Sequence, residues 1–185
     1  MAAEFGATPW GRAWVRTVES TAVSAPNALL PRARGLARNH AVALSTETGR
    51  VVARVSASGA VHEVRIDLPP WSEETSAEAR RLIAGSLAAH GGLAAGDLPD
   101  SLDADFRDRG IGHAVGLAEQ TSTCDCRTRK RPCVHVLATV YALSLRIDER
   151  PALAVELRSD VVEVGPEPEP DWIALGDLDV AAFYG

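Results

Sequence analysis

No uninterrupted apolar run of about eighteen residues, the length needed to cross a bilayer as a helix, occurs in the chain. The opening MAAEFGATPWGR has neither the basic start nor the apolar core of a secretory signal, which leads to the expectation of a cytoplasmic protein. Cysteine is scarce. There are three, an odd number that cannot pair off within the chain, and all fall between positions 124 and 133. In a reducing compartment, thiols so spaced are more often metal ligands or catalytic groups than disulfides. Enzyme signatures are missing as well: there is no Gly-rich phosphate loop ending in Lys-Ser or Lys-Thr, no G-x-S-x-G turn and no H-E-x-x-H. No enzyme class has positive support, no catalytic residue is assigned, and no internal repeat is visible.

What is present is ordinary for a globular protein. The 185 residues are 46% hydrophobic and 24% charged, enough for one domain, or one domain with an appended finger, and too short for two large cores. The net charge of −6 argues against a surface that coats nucleic acid indiscriminately, but it hides a segmented pattern. Counting Lys and Arg against Asp and Glu gives +4 over residues 1–60, −5 over 61–110, +3 over 111–147 and −8 over 148–185.

Thr8 followed by Pro9 is a helix start, and the four-residue spacing of Trp10, Trp14 and Val18 predicts one shared face. That face is read as core anchoring, against the alternative of a stacking surface for bases or a partner. Strands are expected over 40–46, 50–56 and 61–68, with turns at Thr48-Gly49 and Ser58-Gly59, giving an antiparallel meander. Pro69-Pro70 ends the last strand. Ser72, Glu73 and Glu74 then open a helix with Ala79, Leu82, Ile83, Ser86 and Leu87 on its stripe, which Gly91-Gly92 weakens or ends. A short helix over 102–109 should turn Leu102 and Phe106 inward, and the apolar stretch 136–145 is fit for a buried helix. Arg32, Arg34 and Arg38 form a basic segment before the first strand, either a surface loop or part of a nucleic-acid track.

Cys124, Cys126, Cys133 and His135 stand in the pattern C-x-C-x6-C-x-H. Zinc prefers four tetrahedral ligands and accepts thiolate and neutral imidazole, and the segment offers four such donors with none left over. A closed structural site is the reading. An accidental grouping, a catalytic zinc and a C-x-C redox pair are the competing ones. Catalytic zinc needs an open position, and a bound metal consumes the thiolates a redox pair requires. Arg127, Arg129, Lys130 and Arg131 put four cations on the short loop between ligands, a candidate contact for phosphates or for an acidic protein surface. The plain alternative is a solvated loop whose charges offset the thiolates. His40, His62, His90 and His113 show no paired spacing and are read as surface or core residues.

The cluster, followed by the helix Val136-Leu137-Ala138-Thr139-Val140-Tyr141-Ala142-Leu143, resembles the SWIM zinc-finger family, in which a small β-hairpin leads into a helix. Trp10-Gly11-Arg12-Ala13-Trp14-Val15, Val64-Arg65-Ile66-Asp67-Leu68 and Ala95-Gly96-Asp97-Leu98-Pro99 extend the likeness to bacterial SWIM proteins over about residues 8–160. Two features depart from it: the loop is almost wholly basic, and Val134 replaces the usual Lys or Arg between the last Cys and His. The strands, helices and ligand cluster together are read as an α+β protein with a small antiparallel sheet and one structural zinc, and the resemblance implies a role in nucleic-acid or protein interaction, with a Swi/Snf-type helicase among the implied partners. An accessory or catalytic subunit of a biosynthetic enzyme system is the alternative. The expected organisation is an N-terminal α+β region over 1–118, the finger over 119–147, a C-terminal extension of the core over 148–164, and a Pro-rich linker with an acidic tail over 165–185. That tail, with Trp172, Phe183 and Tyr184, is expected either to dock on the basic surface or a partner, or to stay solvated.

Overall fold

Thr8 starts the first helix as its residue type allows. In the computed structural model, which describes residues 5–19, 27–90 and 93–159, the Thr8 hydroxyl accepts from the Gly11 N–H at 3.1 Å, and Pro9 lies in the first turn of α1 (Pro9–Val18). Trp10, Trp14 and Val18 are buried together, so the tryptophans anchor the core and offer no stacking surface. The carboxylate of Asp148, distant in sequence, accepts from the Gly6 N–H, the Thr8 N–H and the Thr8 hydroxyl, each at 2.8 Å. An anion is favourable at a helix N-terminus. Gly11 permits the approach, since a Cβ there would lie 2.2 Å from Asp148 Oδ1.

The basic segment with Arg32, Arg34 and Arg38 is a helix, α2 (Leu30–Arg38), and not a loop. Pro31 sits in its first turn, while Ala33 and Ala37, one turn apart, are buried where α2 packs on the long helix described below. Small side chains at that spacing let two helices approach, and this tertiary gain outweighs Gly35 and the crowded arginines. Arg34 is drawn in: its Nε donates to Glu19 Oε1 at 3.0 Å and to the Tyr141 hydroxyl at 3.1 Å.

Strands β1 (Val42–Glu47), β2 (Arg50–Ala57) and β3 (Ala60–Asp67) form the expected meander, and β4 (Thr121–Cys124) extends it to the order β1-β2-β3-β4. Val51 pairs with Ile66, Ala53 with Val64 and Val55 with His62. The register puts Val51, Ala53, Val55, Val64 and Ile66 on the buried face. Gly49 and Gly59 carry the tight turns with φ of +76° and +79°.

Ser72 caps α3 (Glu73–Ala89) by accepting from the Thr75 N–H at 3.1 Å, and Ala79 and Ile83 are its buried stripe. In α4 (Asp100–Asp108) Leu102 and Phe106 turn inward, and Asp103 follows them. There Asp103 Oδ1 lies 3.0 Å from His113 Nε2 and also pairs with Arg107. His113 is a core residue under Trp10, with ring centroids 4.7 Å apart. The long helix α5 (Val134–Glu149) is buried at every position from Val134 to Ser144. A helix apolar all round must be enclosed, and α5 lies against all four strands on one side and against α1 and α2 on another. α6 (Ala152–Glu156) closes the core with Ala152, Leu153, Ala154 and Val155. Gly91-Gly92, residues 160–164, the Pro-rich linker and the acidic tail with Trp172, Phe183 and Tyr184 lie outside the described residues.

Candidate metal centre

β4 delivers the first ligand. Cys124 is its last residue and pairs with Val64 of β3, and the next residue continues along the sheet through a hydrogen bond from the Asp125 N–H to the Glu63 carbonyl at 3.3 Å. Among the described residues the finger has this single strand, and its pairing partner is β3. Cys126 follows on the turn. The chain then reverses, and Cys133 becomes the N-cap of α5 with His135 in the first helical turn.

The three sulfurs and a His135 ring nitrogen all lie within 4.8 Å of one another. Cys124 Sγ is 3.6 Å from His135 Nδ1. Tetrahedral zinc, with sulfur at about 2.3 Å and nitrogen at about 2.0 Å, places such a pair about 3.5 Å apart. Three thiolates and one imidazole at these separations fit one structural zinc, and four protein donors leave no coordination position for a reacting water. Cys133 and His135 are buried, while Cys124 and Cys126 are half-buried.

Local electrostatics prepare the donors unequally. Burial pushes the Cys124 thiol up to about 12, with the neighbouring Cys133 adding to the rise. A metal ion must therefore displace its proton. At Cys126 burial also raises the value, but hydrogen bonds from the Thr128 backbone and the other two cysteines, with the charge of Arg131, bring it below the ordinary thiol range. Cys133 is the N-cap of α5, so its sulfur sits at a helix N-terminus, where the dipole favours thiolate. Burial, then the charges of His62 and Arg32, lower His135 and keep it in the neutral form that binds metal.

The structure adds two residues that spacing alone does not show. The His62 ring stacks on His135 with centroids 4.1 Å apart and planes inclined by 20°. Its Nδ1 lies 3.0 Å from Oδ1 of Asp125, the residue between the two ligand cysteines. This bond, with a hydrogen bond that the carboxyl accepts from the Glu63 backbone, holds Asp125 below the usual range. The available signal was register: His62 shares a face with Val64, the partner of Cys124, but only once β3 and β4 are known to pair.

Arg127, Arg129, Lys130 and Arg131 are all exposed on the loop between Cys126 and Cys133. The loop bonds to itself, with Arg131 Nη1 donating to the Thr128 carbonyl at 2.8 Å. Elsewhere arginines face carboxylates, as in Arg34–Glu19, Arg50–Asp67, Arg81–Glu78 and Arg150–Glu156. Among the described residues no ion pair is formed by the four loop cations.

Comparison with known proteins agrees with this geometry. Residues 113–144 match the family described as SWIM zinc finger. An uncharacterized protein of Mycobacterium tuberculosis is 30% identical over 125 residues, a stretch that covers 66% of this chain and 45% of that protein. The chain thus spans less than half the length of this relative. No solved structure matches it.

Proposed function

We propose that this chain, whose residues 113–144 match the SWIM zinc finger, is a binding module whose basic loop contacts DNA, or another nucleic acid, or an acidic protein surface, as an adaptor to a larger machine. The observation that carries the reading is the loop of Arg127, Arg129, Lys130 and Arg131, exposed and without ion pairs among the described residues, on a segment bounded by zinc ligands. Zinc, when bound, fixes both ends of that segment, so its cations meet phosphates or carboxylates with little further loss of chain entropy. Arg32 of α2 supports the same face: its charge reaches His135, and its guanidinium donates to Ser58 Oγ at 3.0 Å. A Swi/Snf-type helicase fits the adaptor role by family resemblance, and a cytoplasmic site of action is part of the same reading. No helix among the described residues is long and apolar enough to cross a membrane.

The test is a salt titration of binding to duplex DNA, to single-stranded nucleic acid and to an acidic peptide, comparing the wild-type chain with the variant in which the four cations become Gln. Each phosphate contact contributes roughly 0.9 to the slope of log K against log salt on duplex DNA. Weaker binding with a slope flattened by up to about 3.6 is expected for duplex DNA if all four cations engage. Unchanged affinity and slope for every probe would reduce the loop to a solvated connector.

A further inference from the structure

His62 occupies a position that the four ligands alone do not require. It lies on β3, paired with Val55 of β2, and its side chain is 24% exposed at the sheet edge next to the metal centre. One face of its ring is set against the His135 ring, 4.1 Å between centroids and 20° between planes. Its Nδ1 is tied to Asp125 Oδ1 at 3.0 Å. Asp125 is in turn fixed from behind by its own N–H, which donates to the Glu63 carbonyl at 3.3 Å, next to His62 in sequence. These contacts join strand β3, the C-x-C turn and the ligand on α5.

This matters because a histidine ligand has two side-chain torsions and two ring nitrogens, and only one arrangement points the correct nitrogen at the metal. Here that nitrogen is Nδ1, 3.6 Å from Cys124 Sγ. A flat ring stacked on the imidazole restricts its rotation, and groups beside metal-binding histidines are known to set ligand orientation and affinity. We propose that His62, braced by Asp125, is a positioning residue for His135, holding its ring with Nδ1 turned toward Cys124 Sγ. The inference rests on the zinc site and is independent of what the basic loop binds.

The experiment uses the full chain. Zinc affinity is measured by competition with a chromophoric chelator, and the ligand-field absorption of the cobalt(II)-substituted protein reports ligand geometry. His62→Ala should weaken zinc binding by about 10–100-fold and change the cobalt spectrum. Asp125→Asn should do so in the same direction but less, and His62→Phe, which keeps a flat ring against His135, should recover part of the affinity lost in His62→Ala. Zinc affinity within twofold of wild type and an unchanged cobalt spectrum in His62→Ala would overturn the proposal, even if that variant melts lower, because a packing role alone predicts that result. Should His62→Ala not fold, the half-exposed Asp125→Asn decides the matter on the same readouts. A wild-type chain that binds no zinc would instead refute the metal site itself, and this is measured first.

Discussion

Among the described residues Asp103 is the one buried carboxylate, and it survives burial because His113 and Arg107 both face it. The hydrogen bond to His113 is the larger influence, and with Arg107 beside it holds the Asp103 carboxyl below its usual range. A carboxyl with a lowered value in the folded state adds stability above its unfolded value of about 3.9 and loses that contribution as pH falls through the lowered value. Asp103→Asn is therefore expected to cost about 1–3 kcal/mol at neutral pH. The difference in urea midpoint between the two chains should then narrow from about pH 5 towards pH 3. Acid release of zinc affects both chains alike. A difference that stays constant down to pH 3 would show that the Asp103 charge has no part in stability. At this scale the sequence was legible where the chemistry was contiguous. Cys124, Cys126, Cys133 and His135 lie in one short segment, and ligand type and number suffice to group them. His62 was not legible, because strand pairing brings it to His135, and Asp103 was not, because nothing in the spacing of α4 announces a partner in the Gly-rich loop.

Helix α1 shows how an element depends on one small residue. Its cap, its proline and its tryptophan stripe follow directly from sequence, yet its docking rests on Asp148 of α5 reaching Gly6 and Thr8 over the bare face of Gly11. Gly11→Ala places a methyl group 2.2 Å from Asp148 Oδ1. Though alanine favours a helix, that overlap should lower stability by about 1–3 kcal/mol, read as a shift of the urea midpoint. A variant more stable than wild type would mean that the Asp148 contact contributes little. Two elements escaped a reading by pattern. α2 carries arginines and a glycine that suggest a loop, and it is helical because Ala33 and Ala37 fit against α5. β4 has four residues, too few for an alternation to stand out, and exists because β3 offers an edge. The finger loop belongs to this scale as well, since its cations act as one segment and are to be neutralised together.

Across the whole molecule the metal centre joins a sheet edge to the central helix. β4 is the fourth strand and α5 the helix that touches all four strands, so the ligands on each make zinc a clamp between the two main parts of the core. The fold class, the meander and the buried helix were readable from periodicity and turn residues. The enclosure of α5 by α1, α2 and the sheet was foreshadowed by its unbroken apolar run, but its neighbours are set by tertiary packing. The clamp predicts that metal content and stability rise and fall together. The most direct measurement is zinc per chain alongside thermal unfolding, for the wild type with and without a strong chelator and for Cys133→Ala. One zinc per chain is expected, with metal loss in both treated forms. Structural zinc contributes on the order of 10 kcal/mol. Each kcal/mol shifts Tm by roughly 2–4 °C for a chain of this size, so a fall of at least about 10 °C is expected. A chain purified without zinc that takes up none, or a Cys133→Ala protein that keeps a full zinc and the wild-type Tm, would contradict the account.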